Sequence, residues 1–86
     1  MFWEERIELI CREMVDGPEI AALMKEEIRE ECKKQLFPAY EGMFLMHRDY
    51  AELRTGKVLE GEVTGEEVFD LYFDYWASKL PIVADA

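Results

Sequence analysis

Apolar residues recur with the period of an α-helix in four separate stretches of this chain, and proline or glycine stands between the stretches. Trp3, Ile7, Ile10 and Met14 are spaced by four, three and four residues, which places them on one face of a helix over about 2–15. Ile20, Met24, Ile28, Cys32 and Leu36 form an i, i+4 row over 18–36. A third helix, over 38–54, carries Tyr40, Met43, Phe44, Met46, His47, Tyr50, Ala51 and Leu53 on its apolar side, while Leu45 falls on the polar side. A fourth, over 65–80, carries Phe69, Tyr72, Phe73, Trp76 and Leu80.

The punctuation agrees with these spans. Gly17 suits a C-terminal stop, and Pro18 suits a first helical position with Asp16 or Gly17 as its cap. Phe37–Pro38 predicts a break, because the residue before proline is pushed out of the helical region. Gly56 stops the third helix. Thr64 followed by Glu67 predicts a capping box at the start of the fourth, Pro81 its end, and Ile82–Ala86 a frayed tail. Residues 55–63 read as a loop that packs Val58 or Leu59 onto the helices, since a lone extended segment has no partner strand. The fold expected is all-α: a compact four-helix bundle with short connections, in one domain over residues 1–86.

A chain of 86 residues buries only roughly 60% of the surface its unfolded form exposes. Eleven aromatics and five methionines are a large apolar load for that length, and self-association, a homodimer for example, would bury part of it. No apolar run is long enough to cross a bilayer, so no membrane contact is expected. The opening residues lack the basic, then apolar, pattern of a secretory leader, which predicts a cytoplasmic protein. Cys11 and Cys32 form no CxxC pair and are expected as reduced thiols.

Charge is the other strong signal. The chain has 20 acids and 10 bases, net −10, and the excess is segregated. Residues 1–24 carry net −4, residues 25–57 net 0, and residues 58–86 net −6. On the fourth helix, Glu67, Asp70 and Asp74 fall in one narrow stripe. Val68, Leu71 and Tyr75 widen the opposite apolar arc to about half the cylinder, beyond the roughly 100° of a simple surface helix. That helix is therefore either central in the bundle or in contact with another chain. The charged run from Lys25 to Gln35 reads as a solvated face.

Catalytic groups are scarce. There is one His, one Ser and no Asn. His47 falls within an apolar arc and is expected as a hydrogen-bonded core residue; it would serve a cysteine nucleophile only if the fold brought a thiol to it. Lys33–Lys34 is the only adjacent basic pair, and phosphate binding needs several cations, so direct contact with nucleic acid is not expected.

Glu26–Glu27–x–x–Glu30 and Glu67–x–x–Asp70 resemble the EExxE and ExxD motifs of the all-α nucleotide pyrophosphohydrolases of the MazG type. The resemblance implies Mg²⁺-dependent cleavage of nucleoside triphosphates, with those five carboxylates as metal ligands. The residues themselves point first to a different class: a small, acidic, non-catalytic binding protein without a cofactor. It would dock on a basic, nucleic-acid-binding surface of a partner protein and inhibit or regulate it, as antitoxin, immunity and phage inhibitor proteins do. The contact residues expected are Glu67, Asp70, Leu71, Asp74 and Tyr75 of the fourth helix with Glu4 and Glu8 of the first. A homo-oligomeric structural module is the third class.

Overall fold

Pro38 does not end a helix. In the computed structural model, which describes residues 2–80 and side chains from residue 4 onward, α1 spans Phe2–Met14, α2 Pro18–Leu23 and α3 Lys25–Met46. Then follow α4, Arg48–Thr55, and α5, Gly65–Ser78. The described residues are all-α, but the expected break at Phe37–Pro38 is replaced by breaks at Met24 and His47. Trp3's side chain, the stop at Pro81 and the tail lie outside the description.

An interior proline costs a helix about 3 kcal/mol through its missing N–H and its clash with the preceding turn. Packing on both sides of Pro38 outweighs that cost. Phe37 and Phe44 set their rings 5.3 Å apart, and both meet Phe69 of α5, at 5.5 and 5.1 Å. Leu36 is buried beside them. Each such side chain contributes about 1.5–3 kcal/mol on burial. The lost bond would have ended on the carbonyl of Lys34, an exposed residue, where water can replace it.

The two real breaks carry no proline or glycine. Met24 and His47 sit at φ, ψ of −105°, 22° and −97°, 19°, between the helical and extended regions. The amide of Met24 is shared between the carbonyls of Ile20 and Ala21, and that of His47 between Met43 and Phe44. Such sharing tightens a last helical turn. The His47 ring adds to it: Nδ1 lies 2.6 Å from the Met43 carbonyl. His47 is thus half-buried at a bend, rather than a core histidine.

Helix α5 is central. It lies against α3 and α4, while α1 and α2 pack on α3. Val68, Phe69, Tyr72, Phe73 and Trp76 are buried, and Leu71 packs against the same core. Ile7 and Ile10 of α1 join them as its seam predicts, with Met14 at the edge. Ile20, expected in the buried row of the second helix, is exposed, and that row begins at Ile28. The buried row of α3 runs through Ile28, Cys32 and Leu36 to Phe44, and continues to Ala51 on α4. Met43, Met46 and Leu53, expected on the apolar side, therefore face solvent, as Leu45 does.

Thr64 caps α5 as expected: its hydroxyl accepts the Glu67 amide at 3.2 Å, and the Glu67 carboxylate accepts the Thr64 amide at 3.3 Å. Gly56 closes α4 at φ 72°, the left-handed conformation that favours glycine. Gly17 is instead the extended N-cap of α2. The loop is pinned from α4. Arg48 donates to the carbonyls of Leu59 and Gly61, and Glu52 accepts the Leu59 amide. Leu59 packs on the core and Val58 is exposed.

Gly65 lets α5 start hard against α3. A Cβ on it would lie 2.5 Å from the Glu41 carbonyl oxygen, a backbone atom that cannot swing away. Gly65→Ala is expected to lower stability by about 1–3 kcal/mol through overpacking. The urea midpoint measures it, and an unchanged midpoint would show that the two helices separate freely.

Candidate functional site: an internal ion cage and an open cleft

The acidic stripe of α5 is not open to solvent along its length. Arg29 of α3, 9% exposed, lies under it. Its Nη1 donates to Asp70 Oδ1 at 3.0 Å, its Nε to Glu26 Oε2 at 3.0 Å, and its Nη2 to Asp74 Oδ1. The guanidinium also stacks 4.7 Å above the Phe73 ring. One turn on, Lys33 Nζ lies 3.0 Å from both Glu66 and Asp70. Desolvation acts to lower the pKa of Arg29, but its bonds to Asp74, Glu26 and Asp70 overcome this and raise it. The same balance raises Lys33. The charged run on α3 is thus not wholly a solvated face, because two of its bases turn inward to neutralise α5.

The signal for this cage was present. Arg29 and Lys33 are four residues apart, and so are Glu66, Asp70 and Asp74 in succession. Two rows of opposite charge with equal pitch match when their helices pack side by side.

The cage also decides how the five carboxylates of the pyrophosphohydrolase motifs are placed. Glu26 and Asp70 do converge, but on a guanidinium rather than on an open cation position. Glu67 serves the cap of α5. Glu27 and Glu30 line a shallow hollow with Glu26, Glu31, Lys34 and Met14 of α1. Among the described residues no group of three or more His, Cys, Asp or Glu side chains is arranged to hold a metal ion. The residues present do not fit Mg²⁺ binding at that place.

The remaining expected contact residues lie elsewhere. Glu4, Glu8 and Tyr75 line a cleft of about 600 Å³ between α1 and α5, and Leu71 does not line it. Cys11, Val15 and Trp76 supply apolar walls, and Arg12, Asp16 and Lys79 stand at it too. That volume is within the range of ligand pockets, roughly 300–1,000 Å³. Glu4 closes one end: its Oε1 accepts from the Tyr72 hydroxyl at 2.7 Å and from Arg54 Nη2 at 3.0 Å. Glu8 lies 3.5 Å from Arg12. Lys79 sits 4.3 Å above the Tyr75 ring, and its hydrogen bond lowers the pKa of that hydroxyl.

The thiols are poor nucleophiles. Both cysteines are free and buried. Burial pushes Cys32 up to about 12 and also raises Cys11, so neither forms a thiolate readily.

Glu4 gives this end of the molecule an acid sensitivity. The Tyr72 hydrogen bond comes first in lowering its pKa, against desolvation, and Arg54 adds to it. A carboxyl with a lowered folded pKa adds stability that is present above its unfolded pKa and is lost as pH falls through the folded value. Glu4→Gln is expected to flatten the acid limb of the stability–pH curve below the usual carboxylate range, at some cost in stability at neutral pH. Thermal melts between neutral pH and strongly acidic buffer measure it. Parallel acid limbs in both proteins would contradict the assignment.

Comparison with known protein families, with curated proteins and with solved structures finds no match to this chain. No helix of the described residues is long and apolar enough to cross a membrane.

Proposed function

We propose that this chain is a small acidic docking protein without catalytic activity. It engages a basic protein surface of the kind that binds nucleic acid, and thereby inhibits or regulates its partner. Its frame is read as a bundle of four sizeable helices, α1, α3, α4 and α5, with short connections, and its compartment as the cytoplasm. The contact surface is centred on α1 rather than on the α5 stripe.

One observation carries this reading. Arg29 and Lys33 hold Asp70 and Asp74 in ion pairs within the fold, whereas Glu5, Glu13, Asp16 and Glu19 are exposed, as is Glu8 beside the exposed Arg12. Only Arg6 and Arg12 accompany those acids between Phe2 and Leu23. The glutamate hollow begins at Met14 on one side of α1, and the Tyr75–Trp76 cleft opens on the other. Aromatic walls beside exposed carboxylates suit the anchoring and steering of an Arg- or Lys-rich surface.

The test compares the native sequence with Glu8→Lys/Glu13→Lys, both immobilised and exposed to nuclease-treated native lysate, then eluted by a salt gradient. The reading expects a basic, nucleic-acid-handling protein on the native chain, released at raised salt, and at least about tenfold less on the variant. Equal retention by the two, with circular dichroism unchanged, would overturn it, as would the absence of any basic protein in the eluate.

A further inference from the structure

The large apolar surface that the fold leaves uncovered includes a row on α3 and α4. Met46 and Leu53 are 82% and 81% exposed, and Met43 is 37% exposed. With Ala39 and the half-buried Tyr50, they repeat at steps of four, three, four and three residues. That is the seam spacing of a two-stranded coiled coil. The row falls on two helices that meet at the bend: His47 is the last residue bonded back into α3 and the first to accept from α4. The His47 amide donates to the Met43 carbonyl at 3.1 Å and the Ala51 amide to the His47 carbonyl at 3.0 Å. At 1.5 Å per residue the row runs about 10 Å along α3, from Ala39 to Met46, and about 5 Å along α4, from Tyr50 to Leu53.

Charge identifies the occupant. Residues 38–57 hold three acids, Glu41, Asp49 and Glu52, and three bases, Arg48, Arg54 and Lys57. The whole net charge of −10 therefore lies outside this segment. A strongly basic partner is attracted to the acidic surfaces elsewhere. Two copies of the chain repel one another at those surfaces and meet without net repulsion here. Asp49 and Arg54 flank opposite sides of the seam, five residues apart. In a parallel two-fold pair, that spacing sets Asp49 of each copy against Arg54 of the other, twice. Arg54 holds Glu4 with Nη2, yet its side chain stays 42% exposed, and a guanidinium has donors to spare.

We propose that two copies of this chain pair in parallel through Ala39, Met43, Met46, Tyr50 and Leu53, with reciprocal Asp49–Arg54 ion pairs beside the seam. The pairing does not depend on the docking function.

Sedimentation equilibrium of the full chain over a wide concentration range tests the proposal, with Met46→Glu/Leu53→Glu as the comparison. The native chain is expected to dimerise, and the variant to associate about a hundredfold more weakly with unchanged helicity, because two exposed anchors are lost. A second variant, Leu53→Cys, fixes the orientation. In a parallel pair residue 53 faces its own copy, and mild oxidation cross-links the dimer within disulfide reach. A native chain that stays monomeric at every concentration overturns the proposal, and so does a double variant that pairs as tightly as the native chain. A dimer that Leu53→Cys fails to cross-link overturns the parallel arrangement.

Discussion

Phe69→Ala is expected to lower the melting midpoint by well over ten degrees. Phe69 is fully buried and stands at the joint of α3 and α5. Its ring meets Phe37 at 5.5 Å, Phe44 at 5.1 Å and Phe73 at 5.7 Å. Truncation of a buried phenylalanine costs about 3–5 kcal/mol, in lost transfer energy and in the cavity left behind. A domain of this length has about 4–13 kcal/mol in total. The same residue anchors the two phenylalanines that carry α3 across Pro38, so the loss extends to that helix. A thermal melt monitored at the helical band reads the effect. A midpoint only a few degrees below the native one would contradict this role, since each kcal/mol is worth about 4–8 °C at this size.

Arg29→Ala is expected to cost about 2–4 kcal/mol. Removal of one partner from a buried ion pair typically costs about 3–5 kcal/mol. Here the figure is reduced, because Asp70, Asp74 and Glu26 are 36%, 57% and 65% exposed in their side chains and regain water. Packing contributes as well, since the guanidinium covers the Phe73 ring. Arg29→Met keeps the stem over Phe73 and is expected to lose about half as much. Urea titration of both variants separates the two contributions. A surface arginine would change stability by less than about 0.5 kcal/mol. Values in that range for both variants would mean that Arg29 is not part of the core.

The start of α5 was legible because one short motif, Thr64 with Glu67, satisfies two helix-end amides at once and has few alternatives. The extent of α1 was legible for a similar reason, as a regular seam with no competing signal inside it. Pro38 misled because a local rule was outvoted by three aromatic rings that come together only in three dimensions. Met24 and His47 were missed because their breaks rest on shared amides, which any residue type can make. The candidate site divided along the same line. Glu4, Glu8 and Tyr75 were readable as neighbours across two helices. The use of Asp70 and Asp74 was not, since it depends on Arg29, a residue that a helical wheel of α3 alone assigns to the solvated face.

The α5 acids Asp70 and Asp74 serve the fold through Arg29. A double-mutant cycle between Arg29→Met and Asp70→Asn, measured by urea denaturation of the two single variants, the double variant and the native chain, tests this without a partner. A coupling of at least about 1 kcal/mol is expected, because the native pair is hydrogen-bonded at 3.0 Å. A coupling below about 0.3 kcal/mol would mean that Asp70 stands free at the surface, and the acidic stripe of α5 would again be the place to look for a partner.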